Sequence, residues 1–445
     1  MVPHDRQKTP AIRDILLFVV VLSTYLYPLF RRKTVTETRE HDPGHPGEFN
    51  ITLEAAILLV LSVFMLLFGI LLFPIYQGDL PYAPDSTYGL FLVIVALQVI
   101  TMGRTPFGDV HRSWLVIIIG IAAGVTGMGA CFIPHVAGEI VRVLVGVILA
   151  AGGAMLLGQL VFRRERAPTW LSSPGILRQL AIACAIVYIV AFLLGAITLL
   201  PAIATGLLTS VLLLVYGAGL LYLAWCIQVL ERTYPRRARP AEPKRPPRFF
   251  LAREAPLPFT TALLLFLGVL LAFLAILLVP VNAGTLPFSP DGQLGLLLVI
   301  MAIQVLAVGE TPVGQFRRSW VLLLTGLVFV GLGVFSCIVP GILTDMLRVM
   351  LGLLNLAGGI VPLAVRLYPV VQQLLNPLAV PVPVPPQLRN LLVTQTVLNI
   401  VGILFGTSML LPGLIPGMLT AAILFCNGLL LFVLARVLST LPPAG

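Results

Sequence analysis

Long, almost unbroken apolar runs alternate with short polar connectors along this chain. The runs lie near 12–30, 52–75, 87–103, 114–134, 138–162, 178–200, 204–230, 259–280, 293–309, 320–340, 342–365, 389–411 and 414–438. Most reach the roughly 17–25 residues that a helix needs to cross a bilayer. In lipid each segment must close its own backbone hydrogen bonds, so the pattern predicts helices. The run 87–103 is short; Asp85 and Ser86 are its expected capping residues, and Asp291 holds the matching place in the second half.

The pattern also repeats. Leu80 to Trp114 reads LPYAPDSTYGLFLVIVALQVITMGRTPFGDVHRSW, and Leu286 to Trp320 reads LPFSPDGQLGLLLVIMAIQVLAVGETPVGQFRRSW. The offset is 206 residues without a gap, and 19 of the 35 positions are identical. Such self-similarity has to be settled before any fold is assigned. Further equivalences are Cys131/Cys337, Pro134/Pro340, Arg142/Arg348, Gly146/Gly352 and Gly152-Gly153/Gly358-Gly359; the offset grows to 211 at Pro201/Pro412 and Gly217/Gly428. Six runs from 52 to 230 therefore match six from 259 to 438.

Each half is internally threefold. Pro74, Pro134 and Pro201, and likewise Pro280, Pro340 and Pro412, mark turns between two apolar runs. Proline has no donor and disfavours helix in the residue before it, so six helical hairpins are predicted. The proline turns carry no Lys or Arg. The other connectors do: Arg104 and Arg112; Arg163, Arg164 and Arg166; Arg317 and Arg318; Arg366 and Arg389. By the positive-inside rule these connectors and the C-terminus are expected in the cytoplasm, with the proline turns outside. Each half has an even number of crossings, so the repeats should be parallel, related by an axis along the membrane normal. Trp114, Trp320 and Trp170 fall near the cytoplasmic helix ends, as interfacial anchors should.

Composition fits this picture. The hydrophobic fraction is 58%, the charged fraction 10% and the mean hydropathy +1.03; soluble domains carry about 25% charged residues. The net charge of +10 sits in loops between apolar runs. That placement suits topology control and anionic headgroups and excludes nucleic acid as the partner. The linker Glu231 to Glu254 holds eight basic residues: Arg232, Arg236, Arg237, Arg239, Lys244, Arg245, Arg248 and Arg253. It is expected to be extended, solvated and close to the lipid surface. Residues 377–386 hold five prolines and read as a stiff polyproline spacer. The run 12–30 is followed by Arg31, Arg32 and Lys33 rather than a small-residue cleavage site. It is read as a thirteenth span, with an interfacial helix as the alternative.

The stretch RSWLVIIIGIAAGVTGMGACFIPHVAGEIVRVLVGVILAAGG, beginning at Arg112, resembles the helix pair of HdeD-type acid-resistance membrane proteins, as does its copy beginning at Arg318. The shared features are a Trp after a basic residue, Gly in the first helix, the Pro turn, and Gly late in the second. That family is similar in having six spans built from hairpins, so the chain resembles a fused pair. The N-terminal run, the two linkers and the length depart from the pattern. The resemblance implies a bacterial inner-membrane protein with an acid-stress link, and supplies no catalytic residue.

Few residues offer chemistry. Glu139 and Arg142, and their counterparts Asp345 and Arg348, lie three apart just past a proline turn, where the side chains can pair. They read either as a polar, proton-sensitive path or as self-neutralised pairs near the headgroups, since a lone intramembrane charge costs roughly 2.5–3.5 kcal/mol. Arg104 and Glu310 occupy one repeat position with opposite sign, a candidate inter-repeat pair or two solvated charges. Gln98 and Gln304, and with them Asn355, Asn399 and Asn427, are expected to bond between helices. His41, Asp42, His45 and Glu48 have metal-ligating side chains, yet their Pro and Gly neighbours favour a solvated loop. The cysteines, Cys131, Cys184, Cys226, Cys337 and Cys426, form no CxxC and read as small core residues; a Cys131–Cys337 bridge between halves is conceivable. Neither a P-loop nor a GxGxxG nor a nucleophile motif occurs, so neither enzyme activity nor a cofactor nor a metal is expected.

The sequence thus predicts an all-α polytopic transmembrane bundle. Residues 1–50 form an N-terminal helix and loop, 51–230 the first six-helix repeat, 231–257 the basic linker, and 258–445 the second repeat. Three functions stay open: a non-enzymatic structural or acid-stress protein; an accessory subunit of a larger membrane complex, or a homo-oligomer; and a transporter or channel with its path between the repeats.

Overall fold

The computed structural model describes residues 53–102, 104–105, 108–109, 113–135, 138–162, 176–200, 206–233, 259–308, 310–311, 314–315, 320–375 and 386–440. The N-terminal run 12–30, the HDPGHPGE loop, Trp170, the basic linker and the proline-rich spacer lie outside the described residues.

The described chain is built from helices. The first half contains α1 (Leu53–Gln77), α2 (Pro84–Met102), α3 (Trp114–Phe132), α4 (Gly138–Phe162), α5 (Ile176–Leu199) and α6 (Gly206–Thr233). The second contains α7 (Phe259–Asn282), α8 (Pro290–Val308), α9 (Trp320–Ile338), α10 (Thr344–Leu375), α11 (Pro386–Leu410) and α12 (Gly417–Thr440). Nine of these are long and apolar enough to cross a bilayer; the longest apolar stretches of α2, α8 and α9 are shorter. The chain is a multi-pass membrane protein. Among the described residues strand is confined to two antiparallel pairs. These are β1 (Arg104–Thr105) with β2 (Gly108–Asp109), and β3 (Glu310–Thr311) with β4 (Gly314–Gln315). Connectors read from sequence as plain loops thus contain small hairpins.

Pro74 and Pro280 do not end their helices. Each lies inside its helix, which runs on to Gln77 or Asn282. The chain turns at glycine instead, Gly78 at φ +84 and Gly284 at φ +72. Gly78 N donates to Ile75 O and Asp79 N to Pro74 O; Gly284 N donates to Val281 O and Thr285 N to Pro280 O. This paired closure satisfies the last helical carbonyls and needs a left-handed residue that glycine adopts without a Cβ penalty.

The hairpins joined at Pro201 and Pro412 pack as expected, α5 on α6 and α11 on α12; those joined at Pro74 and Pro134 do not. Helices joined by the Pro74 and Pro134 turns touch little. The extensive contacts are α2 with α3, α4 with α5, and α1 with α6, and the second half repeats them as α8 with α9, α10 with α11, and α7 with α12. The reason is where the glycines fall. A Cβ on Gly127 of α3 would sit 2.6 Å from the Gly89 carbonyl of α2, and one on Gly333 of α9 would sit 2.6 Å from the Gly295 carbonyl of α8. Gly153 of α4 lies against Tyr188 and Phe192 of α5, where a Cβ would come within 2.7 Å of backbone. Gly217 of α6 approaches α1 closely enough for Ser62 Oγ to donate to its carbonyl at 2.9 Å. Without a hydrophobic drive between helices in lipid, such close backbone approach supplies the packing energy.

The halves meet through α1–α3 and α7–α9. Each contact has its symmetry mate: α1 with α9 and α7 with α3, α1 with α8 and α7 with α2, α2 with α9 and α8 with α3. Ala83 N donates to Ile338 O at 3.0 Å, and Ser289 N to Phe132 O at 2.9 Å. Exchanging the halves converts one bond into the other, and both lie at the proline-turn end. Inverted repeats would place them at opposite ends, so the repeats are parallel. Ser86 and Gly292 are repeat equivalents that meet; a Cβ on Gly292 would lie 2.9 Å from Ser86 Oγ. The pseudo-twofold axis passes between them. Away from the Ser86–Gly292 contact the seam is largely apolar, with Val60, Phe64, Phe91, Ala96, Phe266, Leu270, Leu296 and Val330 all nearly or fully buried. The outer helices present Ile140, Val147, Ile186, Leu207, Leu353 and Val397 outward, where lipid covers them.

Candidate functional site

Polar side chains concentrate where the proline turns gather. In α2, Ala83 O accepts from Thr87 N and Pro84 occupies the first helical position, where its missing donor is harmless. Asp85 follows, favourably placed at a helix N-terminus. Its carboxylate does not cap α2 as the sequence suggested; it reaches across to the next turn and accepts from His135 N at 2.7 Å. His135 is left-handed, at φ +67, a conformation costing about 1–2 kcal/mol for a residue with a Cβ. The Asp85 bond helps to hold it there. The same carboxylate lies against Gly138, leaving no room for a Cβ at the start of α4.

The second half solves the same problem with other residues. Gly341 replaces His135 in the left-handed position. Thr344 replaces Gly138, and its hydroxyl donates to the Asp291 carboxylate. Asp291 is buried, and its main-chain carbonyl accepts from Ser336 Oγ at 3.1 Å. Both aspartates thus tie the start of α2 or α8 to the start of α4 or α10.

The charge pairs begin at the residue after Gly138 or Thr344, in the first turn of α4 and α10. Arg142 Nη2 donates to Glu139 at 2.6 Å, and Arg348 Nη2 pairs with Asp345 at 2.9 Å. Arg142 Nη1 also donates to Thr198 O at 3.4 Å, one of the last carbonyls of α5, which have no helical partner. A cation there also complements the helix dipole. Arg142 is three-quarters buried, and its Nε is enclosed without a partner; Arg348 is more open, and the Glu139 and Asp345 carboxylates are more than four-fifths exposed. Both pairs stand on the perimeter helices α4 and α10, beside outward-facing Ile140 and Met346. Each of these helices makes its main contacts within its own half. The structure therefore pairs Glu139 with Arg142 and Asp345 with Arg348, but does not bring the two pairs together on the axis.

The other sequence candidates separate. Gln98 is half-buried in α2, while the side chains of Gln304, Arg104 and Glu310 lie outside the described residues. Asn355 bonds within its own helix, Nδ2 to Leu351 O at 2.8 Å, and not between helices. Asn399 Nδ2 is buried without a partner. The five cysteines are free, Cys131 and Cys337 fully buried. Each of those two thiols turns to a main-chain carbonyl of its own half, Ser86 O at 3.4 Å and Gly292 O at 3.7 Å. Hydrogen bonds take the place of the conceivable bridge. Tyr82, in the turn before α2, stacks on Phe68 at 6.1 Å. Removal from water pushes its hydroxyl well above the ordinary tyrosine pKa, with Tyr88 adding to the rise.

Sequence reasoning missed the clips made by Asp85 and Asp291. Their partners lie 50 and 53 residues away; the one available signal was the repeat itself, which keeps both aspartates beside a proline. Among the described residues no three His, Cys, Asp or Glu side chains converge. No protein-family model, curated protein or solved structure matches this chain.

Proposed function

We propose that the chain is a non-enzymatic, structural protein of the bacterial inner membrane, of the HdeD-like kind that its helix-pair sequences resemble, with a role under acid stress. The observation that carries this reading is the division between a largely apolar seam and a polar rim. Beyond the Ser86–Gly292 contact at the proline-turn end, buried apolar side chains pack between the halves, where a transport path would run. Asp85, Asp291 and the two charge pairs of α4 and α10 sit instead at the proline-turn end. Transporters place such groups near the midplane at the repeat interface. Basic connectors face the cytoplasm, the arginine-rich linker meets anionic headgroups, and the proline turns face out.

The test is acid survival of a deletion strain complemented with the full chain or with Glu139→Gln/Asp345→Gln. Survival restored by the full chain supports the stress role, and equal survival with and without the chain refutes it. Unchanged folding and survival in the double variant would reject proton sensing by the pairs. Substrate flux in reconstituted vesicles would overturn the structural reading. Tags beside Pro134 and near Arg237 found in one compartment would overturn the orientation. A second reading, an accessory subunit, draws on the exposed Glu139 and Asp345 carboxylates beside outward apolar side chains. Stoichiometric co-purification with another membrane protein would select it.

A further inference from the structure

The seam is built from equivalent helices, yet the side chains that cross it are not equivalent. On one side α7 meets α3. Phe266 of α7 lies over Gly124, where a Cβ would come 2.8 Å from the ring Cζ, and Phe273 lies over Gly129, 3.8 Å from such a Cβ. On the other side α1 meets α9. Where α7 has Phe266 and Phe273, α1 has Val60 and Leu67; where α3 has Gly124 and Gly129, α9 has Val330 and Phe335. Val60 and Val330 are fully buried, and Leu67 Cδ1 comes within 3.8 Å of a Cβ built on Gly331. At the Phe266/Gly124 crossing large meets small, whereas the mate positions hold two buried valines, Val60 and Val330. The hydroxyls have been exchanged as well. Ser86 of α2 donates to Cys131 O at 3.2 Å, while its twin is Gly292; the hydroxyl of the second half sits on α9 as Ser336, whose own twin is Ala130.

These exchanges set which surfaces fit. Two copies of the first-half face would place Val60 over Gly124 at both crossings, leaving voids whose walls lose their contacts. They would also set Ser86 against Ser86, where the native structure leaves Gly292 no room for a Cβ. Two copies of the second-half face would force Phe266 onto Val330 at both crossings, which is overpacked. Only first against second fills the space. Discrimination of this kind arises from misfits built against the wrong partner as much as from contacts with the right one.

We propose that the α1–α3 face is specific for the α7–α9 face of this protein and rejects a like half, so that the duplicated halves form an obligate unlike pair. The full-length chain tests this by exchanging size across the seam. V60F/G124V gives the first half the second-half pattern and should abolish the monodisperse folded protein, because both crossings become Phe against Val. F266V/V330G makes both crossings Val against Gly and should fold with a melting temperature lowered by several degrees. All four substitutions together recreate the native pair with the halves exchanged, and should restore both the monodisperse fraction and a melting temperature within a few degrees of the parent. Normal folding of V60F/G124V, or failure of the fourfold variant to recover, would each overturn the proposal.

Discussion

Gly127 and Gly129 lie two residues apart on α3, and the structure assigns them opposite responses to the same substitution. Alanine favours helix over glycine by about 0.8–1.0 kcal/mol. At Gly129 the added methyl meets nothing nearer than Phe273 Cε1 at 3.8 Å, an ordinary contact, so the propensity gain should stand. At Gly127 the methyl would lie 2.6 Å from the Gly89 carbonyl oxygen and 3.1 Å from Leu92 Cβ. A carbonyl cannot rotate aside within its helix, so α2 and α3 must separate along their shared face. Overpacking of this kind costs about 1–3 kcal/mol, with backbone contact at the upper end. The net effect of Gly127→Ala is then a loss of about 1–2 kcal/mol after the helix gain. The second half supplies an internal replicate. Gly333→Ala meets the Gly295 carbonyl at 2.6 Å, whereas Gly331→Ala meets Leu67 Cδ1 at 3.8 Å. Buried Cys131 and Cys337 serve as native reporters, since a thiol-reactive fluorophore labels them only as the protein opens; half-buried Cys184 and exposed Cys426 would be replaced by alanine in every variant. Melting curves in detergent should rank both 2.6 Å variants below the parent and both 3.8 Å variants level with or above it. A Gly127→Ala protein as stable as Gly129→Ala would refute the view that glycine pairing sets the α2–α3 distance.

Arg142→Ala should lower stability by about 1.5–3 kcal/mol, the range for hydrogen bonds to charged groups, since Arg142 binds both Glu139 and the end of α5. Arg348→Ala, from a more exposed pair, should cost at most about 1 kcal/mol; equal losses in a melting comparison would contradict the asymmetry. Gly78→Ala and Gly284→Ala meet no atom within 4 Å, so each should lose about 1–2 kcal/mol from backbone strain alone, and wild-type melting temperatures would show that the turns rearrange freely. Thr344→Ala removes a donor from buried Asp291 and should cost about 1–3 kcal/mol; a matching Thr344→Ser variant that fails to recover stability would assign the loss to packing instead.

The apolar runs dictated helices in lipid, because a membrane leaves the backbone no other partner than its own. The 206-residue offset likewise foretold the parallel arrangement, since an even number of crossings returns the chain to its starting side. What the runs could not convey is which helix packs on which. Pro74 and Pro280 looked like helix ends because a missing donor and a steric clash are local properties, but the turn was made by Gly78 and Gly284 closing carbonyls further along. The charge pairs were legible at i, i+3, a spacing fixed by helical geometry. Their place on the perimeter was not, for it depends on α4 and α10 packing within their own halves. The clips from Asp85 and Asp291 and the exchange of bulk between Phe266/Gly124 and Val60/Val330 join residues far apart in the chain. Sequence determines hydrophobic length, handed repeats and local pairing; tertiary structure decides which surfaces meet, because close packing is a property of two helices at once.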